Sequence, residues 1–112
     1  MDDEENLFSP DLAELAEQII SICGSVCLST ISLCEFIRDG DRGAALVAEM
    51  GGSINLAKLA NVLIDYRELC RKLGFLDGEH PDWHKVNTLT EISARYFKIK
   101  REELRTLLNK EE

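Results

Sequence analysis

The feature that most constrains the fold of this chain is a stretch of 17 residues without a charged side chain, residues 18–34. It contains three of the chain's four cysteines, in the sequence CGSVCLSTISLC. Five Ser and Thr hydroxyls interrupt the apolar residues, and the stretch is shorter than the roughly 20 residues that cross a membrane as a helix. We therefore interpret it as part of a buried helix rather than a membrane span.

The pattern around this stretch predicts a long N-terminal helix. Apolar residues recur at steps of three and four, which is the period of an α-helix. Ser9 is suited to cap the helix, Pro10 to occupy its first position, and Asp11 to lie near its positive end. Gly40 can adopt the left-handed conformation that ends a helix.

The same helix carries a second apolar stripe. The stripe consists of Ile20, Cys23, Cys27, Ile31 and Cys34. Because a helix with two apolar faces is generally buried between neighbours, we predict that the three cysteines are buried, reduced and free of metal. Small, soft thiols pack well in protein cores.

The rest of the chain predicts shorter helices. A first segment at 42–50 ends at Gly51-Gly52, and Ser53 caps a helix at 54–73. Another helix begins at His80-Pro81-Asp82 or at Thr88, breaks near residues 98–100, and is followed by a last helix at 101–109. The predicted fold is all-α: a compact bundle of four to five helices with a long central N-terminal helix and a C-terminal helical hairpin. We expect one domain at residues 9–110, preceded by an acidic, flexible N-terminus at residues 1–8.

The helix at 54–73 has the spacing of a packing helix. Its apolar residues follow the a and d positions of a heptad repeat, which suits bundle packing and self-association. We predict that it contributes to a subunit interface as well as to the core. The predicted interface residues are Leu56, Leu59, Leu63 and Tyr66.

Charge is distributed unevenly along the chain. Residues 1–84 contain 16 Asp and Glu against 6 Lys and Arg, a balance of −10, and residues 85–110 contain 7 Lys and Arg against 3 Asp and Glu, a balance of +4. Two final glutamates bring the net charge to −8. An acidic chain is poorly suited to sequence-independent nucleic-acid binding, but a basic segment can meet an anionic partner. The alternative interpretation of this segment is an ordinary solvated helix face.

Catalytic and metal-binding motifs are weak in this sequence. It has no GxSxG, GxxxxGK[ST] or GxGxxG motif, and we predict no enzymatic activity and no cofactor. Cysteines at 23, 27 and 34 lack the paired short spacing of structural zinc sites, although His80, His84 or Cys70 could complete a set. Met1 is followed by four acidic residues, so we expect no signal peptide and a cytoplasmic location, where thiols stay reduced.

The residues LTEISARYFKIKREELRTLL, at positions 89–108, resemble a helix-turn-helix. Ala94 would allow the two helices to cross closely, and Phe97 would end the first helix. Ile99 would lie in the turn, and Leu104 would anchor the second helix. The usual turn glycine is replaced by Lys98. The predicted DNA-contacting residues are Lys98, Lys100, Arg101 and Arg105.

A wider resemblance covers residues 53–108. In this range a helix LAKLANVLIDYREL is followed by GFL, HP, another helix and FKIKR. This order of segments is similar to that in one family of small terminase subunits of tailed phages. That resemblance implies a helical protein that assembles into rings and recruits viral DNA for packaging.

Three functions therefore remain open from the sequence. The first is a non-enzymatic helical protein that self-associates and contacts duplex DNA through its basic C-terminal hairpin, with other protein partners besides. The alternative is an acidic adaptor or inhibitor that binds a protein without DNA contact. A thiol-based metal-binding protein is a third possibility.

Overall fold

A computed structural model describes residues 9–110, and the N-terminus predicted for residues 1–8 lies outside them. Within the described residues the chain forms three α-helices and no strand: α1 (Pro10–Asp39), α2 (Arg42–Lys72) and α3 (Pro81–Asn109). The all-α prediction is confirmed. The prediction of four to five helices is wrong, because two expected breaks do not form.

The ends of α1 follow the local signals in the sequence. The Ser9 hydroxyl accepts a hydrogen bond from the Leu12 amide, and Pro10 occupies the first turn. At the other end Gly40 has φ 76°, and its amide and that of Asp41 return to carbonyls of the last turn. Left-handed backbone of this kind is open to glycine at little cost. Asp41 then caps α2 by accepting a hydrogen bond from the Ala44 amide at 3.1 Å.

The connection between α2 and α3 is also defined by local contacts. Gly74, with φ 92°, follows the end of α2, and Arg71 pairs with Asp77 through two contacts of 3.1 and 3.2 Å. The guanidinium of Arg71 holds the pKa of the Asp77 carboxyl below its usual range. His80 caps α3, so this helix begins at Pro81 rather than at Thr88.

The break predicted at Gly51-Gly52 is absent, and α2 continues through both residues. Two glycines in a helix cost roughly 2 kcal/mol together relative to alanine. Tertiary packing compensates, because Gly52 is buried where the ring of Phe97 from α3 lies against it. The segment predicted as a separate helix at 42–50 is thus the first part of α2.

The break predicted near residues 98–100 is also absent, so the C-terminal helical hairpin does not form. No glycine or proline interrupts α3 there, and Phe97 and Leu104, seven residues apart, are both buried on one face. A turn between them would remove one of the two from the core. Residues 81–109 therefore form one continuous helix.

The three helices form an elongated up-down-up bundle of 62 × 19 × 17 Å. Short connections make consecutive helices antiparallel, so α1 and α3 run in the same direction. α1 has the most extensive contacts with its neighbours, and α2 and α3 approach each other less closely.

The core consists of two clusters along the bundle. The cluster at the start of α1 contains Leu12, Ala16, Ile19, Cys23, Leu59, Tyr66, Cys70 and Val86. The cluster at its end contains Val26, Leu33, Ala45, Phe97 and Leu104.

Candidate functional site

Three of the four predicted DNA-contacting residues share one side of α3. Lys98, Arg101 and Arg105 recur at three- and four-residue steps, which places them in a row. Arg105 donates to Glu49 of α2 at 3.3 Å, and the Arg101 guanidinium lies 5.8 Å from the centre of the Phe97 ring. This row therefore borders the groove between α3 and α2.

Lys100 lies on a different side of α3, next to α1. Its ammonium donates to both carboxylate oxygens of Glu103, at 3.1 and 3.2 Å, and lies beside the thiol of Cys34. The hydrogen bonds from Lys100 to Glu103 raise the pKa of the lysine. The structure thus separates Lys100 from the other three predicted residues.

The predicted interface residues of α2 belong mainly to the core of the single chain. Leu59 and Tyr66 are only 2% and 1% exposed. Leu56 and Leu63 are partly buried and pack against the same core cluster. The heptad spacing of α2 is therefore used to hold the chain together, and Leu59 and Tyr66 are not accessible to a partner.

The prediction that the three N-terminal cysteines are buried is wrong for two of them. Cys23 is buried, whereas Cys27 and Cys34 are exposed. The reason is that α3 covers only one edge of their stripe, where the buried Ser93 hydroxyl lies 3.6 Å from the Cys27 sulfur. Within residues 9–110 no group of three or more His, Cys, Asp or Glu side chains is placed to hold a metal ion.

The exposed edge of this stripe forms part of a larger apolar surface. We call it the α1–α3 face, and its large exposed residues are Ile20 and Ile31 of α1 and Ile92, Tyr96 and Ile99 of α3. Leu28 of α1 lies at the border between this face and the groove with α2. Leu28 is 67% exposed, Tyr96 58% and Ile31 55%. On α1, the small residues Gly24, Cys27 and Cys34 alternate with these larger side chains along the helix. The sequence identified the apolar stripe but not its exposure.

The residues of the α1–α3 face are contiguous because α1 and α3 run side by side. Cys27 lies next to Ser93, and one heptad later Cys34 lies beside Lys100. One heptad earlier, Ile20 lines the same concavity as Val86 of α3. The α1 part of the face falls within the uncharged residues 18–34.

A second apolar surface lies between α1 and α2. The groove there is lined by small residues together with Leu28, Phe36 and Val47. Val47, Met50 and Ile54 are 69%, 61% and 57% exposed and form an outer row on α2. We call these three residues the α2 row.

A buried polar cluster lies between the end of α2 and the start of α3. The His80 Nδ1 accepts from the Asp82 amide at 3.1 Å, so a neutral ring carries its proton on Nε2. The His80 ring meets the rings of Tyr66 and Phe75 edge-on. Neither His80 Nε2 nor the Tyr66 hydroxyl has a hydrogen-bond partner among the described residues.

Two ionisable groups of this cluster, the Tyr66 hydroxyl and the Cys70 thiol, are held in their neutral forms. Burial raises the pKa of the Tyr66 hydroxyl, and burial likewise raises the pKa of the Cys70 thiol. A nucleophilic cysteine needs a lowered pKa and access to solvent, whereas Cys70 is 0% exposed. The cluster therefore serves to cap α3 and to pack its start against α2.

By length and composition alone, α1 is able to cross a membrane. Its most apolar window has a mean hydropathy of 1.8, and 22% of that window is buried within the bundle. The core helix of a soluble bundle meets the same criterion, so this property does not assign a location.

Comparison of the chain with protein-family models, with curated proteins and with solved structures found no match.

Proposed function

We propose that this chain is a non-enzymatic, all-α binding protein that associates with further copies of itself. The observation that carries the proposal is the number of large apolar side chains left in contact with water. Among the described residues, twelve large apolar side chains are at least 40% exposed, and they occur on all three helices and on the α2–α3 connection. Contiguous apolar surface of more than a few hundred Å² marks an interaction site on a soluble protein.

The buried cluster supports the non-enzymatic part of the proposal. Acid–base or nucleophilic catalysis needs groups that reach a substrate and change protonation near the working pH. Tyr66 and Cys70 are buried, and burial keeps both protonated. Their position suits a structural role between two helices.

The experiment for self-association is size-exclusion chromatography with light scattering over a range of protein concentrations. We expect a mass that rises with concentration to a multiple of the 12.6 kDa chain. A mass that stays at one chain up to millimolar concentration would contradict the proposal. The same result, with no change on adding DNA, would favour the alternative of an acidic adaptor for another protein.

Duplex DNA is a second candidate partner, and the observation that favours it is the row formed by Lys98, Arg101 and Arg105. The three cations share one side of α3, and Arg105 is held by an ion pair with Glu49 in which the arginine is exposed. Because the Arg105 side chain is 57% exposed and that of Glu49 only 16%, a phosphate can bind the outer side of the guanidinium while the ion pair with Glu49 stays in place. Adding duplex DNA to the chromatography experiment tests this candidate, with a shift to larger mass as the expected result.

The DNA candidate does not require a helix-turn-helix. A continuous helix can also place a row of cations along a phosphate backbone. The likeness to small terminase subunits of phages and the cytoplasmic location stay predictions from the sequence, and a ring-sized assembly that binds DNA would favour the former.

A further inference from the structure

We propose that a second copy of this chain docks on the α1–α3 face, with the two α1 helices antiparallel about a two-fold axis near Cys27 and Leu28. The inference rests on the self-association proposed above. It adds the face that is used, the partner that covers it and the relative orientation of the two copies.

α1 has the pattern of a helix with neighbours on two sides. One apolar side is covered by α2 and α3, and α3 covers one edge of the second stripe. The outer edge, with Ile20 and Ile31 at 41% and 55% exposure, has no cover within the described chain. A further helix packed along α1 completes the burial that such a pattern requires.

The size of the face also favours a second copy as the partner. From Ile20 to Cys34 is about 21 Å along a helix at 1.5 Å per residue, and two helices about 10 Å apart present a strip roughly 20 Å wide. The apolar area is therefore on the order of 400 Å². A standard interface covers about 800 Å² per partner and has an apolar centre within a polar rim. The face has the size of such a centre.

The middle of the face has room for another helix. Gly24 has no atom within 4 Å of the position that a Cβ would occupy. Cys27 and Cys34 are small side chains on either side of Ile31 in the same stripe. A helix from a second copy can therefore approach α1 closely along this line.

Charged residues at the rim of the face suit an antiparallel pair of α1 helices. Glu17 precedes the uncharged stretch of α1 and Arg38 follows it, and Cys27 and Leu28 are midway between them. In an antiparallel pair Glu17 of each copy faces Arg38 of the other. Arg38 is 74% exposed in its contact with Asp39, so it can turn to a new partner. The apolar centre and the rim charges thus share one midpoint.

The same rim charges favour a second copy of the chain, rather than an anionic membrane surface, as the partner of this face. Helices that lie on membranes carry mainly Lys and Arg beside their apolar face. Here acidic residues, among them Glu17 and Glu35, adjoin the face, and the whole chain carries −8. Anionic lipid would repel this surface, whereas a second copy supplies both signs of charge.

The experiment compares the dimer dissociation constants of three variants by sedimentation equilibrium. Ile31→Asp places a charge in the centre of the face, and we expect it to weaken association at least about 100-fold. Ile54→Asp makes the same change at an equally exposed site of the α2 row, outside the groove that Leu28 and Val47 line, and is expected to leave the constant within about twofold. Tyr96→Asp repeats the test from α3. All three sites are more than half exposed in the single chain, and circular dichroism verifies that each variant keeps its helices.

The orientation is tested by exchanging charges. Glu17→Arg and Arg38→Glu should each weaken the dimer about tenfold, since each change places like charges at two symmetry-related contacts. The double variant should recover association to within about threefold of the unmodified chain. A double variant that remains as weak as the single ones would overturn the antiparallel arrangement.

The outcomes separate this inference from the function on which it rests. An unmodified chain that is monomeric at all concentrations would refute self-association itself. An unmodified chain that dimerises, with Ile31→Asp and Tyr96→Asp unaffected and Ile54→Asp monomeric, would overturn the α1–α3 face and leave self-association intact.

Discussion

At position 52 the absence of a side chain allows an aromatic ring of α3 to lie against the backbone of α2. A Cβ built on Gly52 would overlap three carbon atoms of the Phe97 ring, and Phe97 is itself 0% exposed. The ring therefore has no free direction in which to move. This contact places α3 against α2 in the second core cluster.

We expect Gly52→Ala to destabilise the chain by about 1–3 kcal/mol, because overpacking a core outweighs the helix propensity gained, about 1 kcal/mol. Gly51→Ala is the matched control, since its Cβ would meet only the Ser29 hydroxyl at 3.9 Å. That control should be neutral or slightly stabilising. Urea denaturation of both variants measures the difference, and equal stabilities would show that Phe97 does not pack as described.

Tyr66 gives a prediction for alkaline pH. Its hydroxyl is buried and has no partner among the described residues, and burial raises its pKa above the ordinary value of 10.0. Above about pH 10 the unfolded chain therefore loses this proton while the folded chain keeps it, so stability falls as pH rises. We expect Tyr66→Phe to remove part of this loss, and to be nearly neutral at pH 7.

The measurement is urea denaturation at pH 7 and at several values above pH 10. Tyr96→Phe serves as the control, because Tyr96 is 58% exposed, and it should leave the pH dependence unchanged. An identical alkaline loss of stability in the Tyr66→Phe variant would show that this hydroxyl is not buried in the folded chain.

At the level of the helices, the ends of the elements are predictable from the sequence because caps are local. Ser9 and Gly40 act within a few residues of their position, and each lies where the local signal places it. For the start of α3 the sequence leaves two positions open, and the structure has His80 as the cap rather than a start at Thr88. The continuity of α2 and α3 is not predictable in this way. It depends on contact between Gly52 and Phe97, which are far apart in sequence.

The division of α3 into two charged sides gives a test of the DNA candidate. We expect the triple change of Lys98, Arg101 and Arg105 to alanine to weaken binding to all duplex sequences. It should also flatten the slope of log K against log salt concentration by about 0.9 for each phosphate that the variant no longer neutralises. Lys100→Ala should leave the slope unchanged, because its ammonium lies beside Glu103 and Cys34.

Fluorescence anisotropy between about 50 and 200 mM salt provides these slopes, a range over which phosphate contacts weaken strongly. Equal slopes for the triple variant and for Lys100→Ala would contradict the role of the row. Absence of binding by the unmodified chain at the lowest salt would remove the DNA candidate altogether.

At the scale of the whole molecule, the sequence predicts which side chains of α1 are apolar but not which of them the chain itself covers. The stripe from Ile20 to Cys34 has the periodicity of a buried face. Its coverage depends on where α3 lies, and α3 reaches toward it with Ser93 and Lys100. Cys23 is therefore inside the bundle and Cys27 is outside, although both belong to one stripe.

The rate at which each of the four thiols is labelled tests this arrangement and its change on association. In dilute solution we expect Cys27 and Cys34, which are exposed, to react rapidly with a maleimide. Cys23 and Cys70 should react only when the chain unfolds, since they are 4% and 0% exposed. For Cys70 the raised pKa adds to the protection, because the thiolate is the reactive form. Mass spectrometry of digested protein assigns each site.

The same reaction at high concentration tests whether the exposed thiols lie in the contact between copies. If a second chain covers the α1–α3 face, labelling of Cys27 and Cys34 should slow as the oligomer forms. It should stay fast in Ile31→Asp at the same concentration. Labelling that is equally fast in the oligomer and the monomer would show that the copies meet elsewhere. Rapid labelling of all four thiols in dilute solution would contradict the bundle itself.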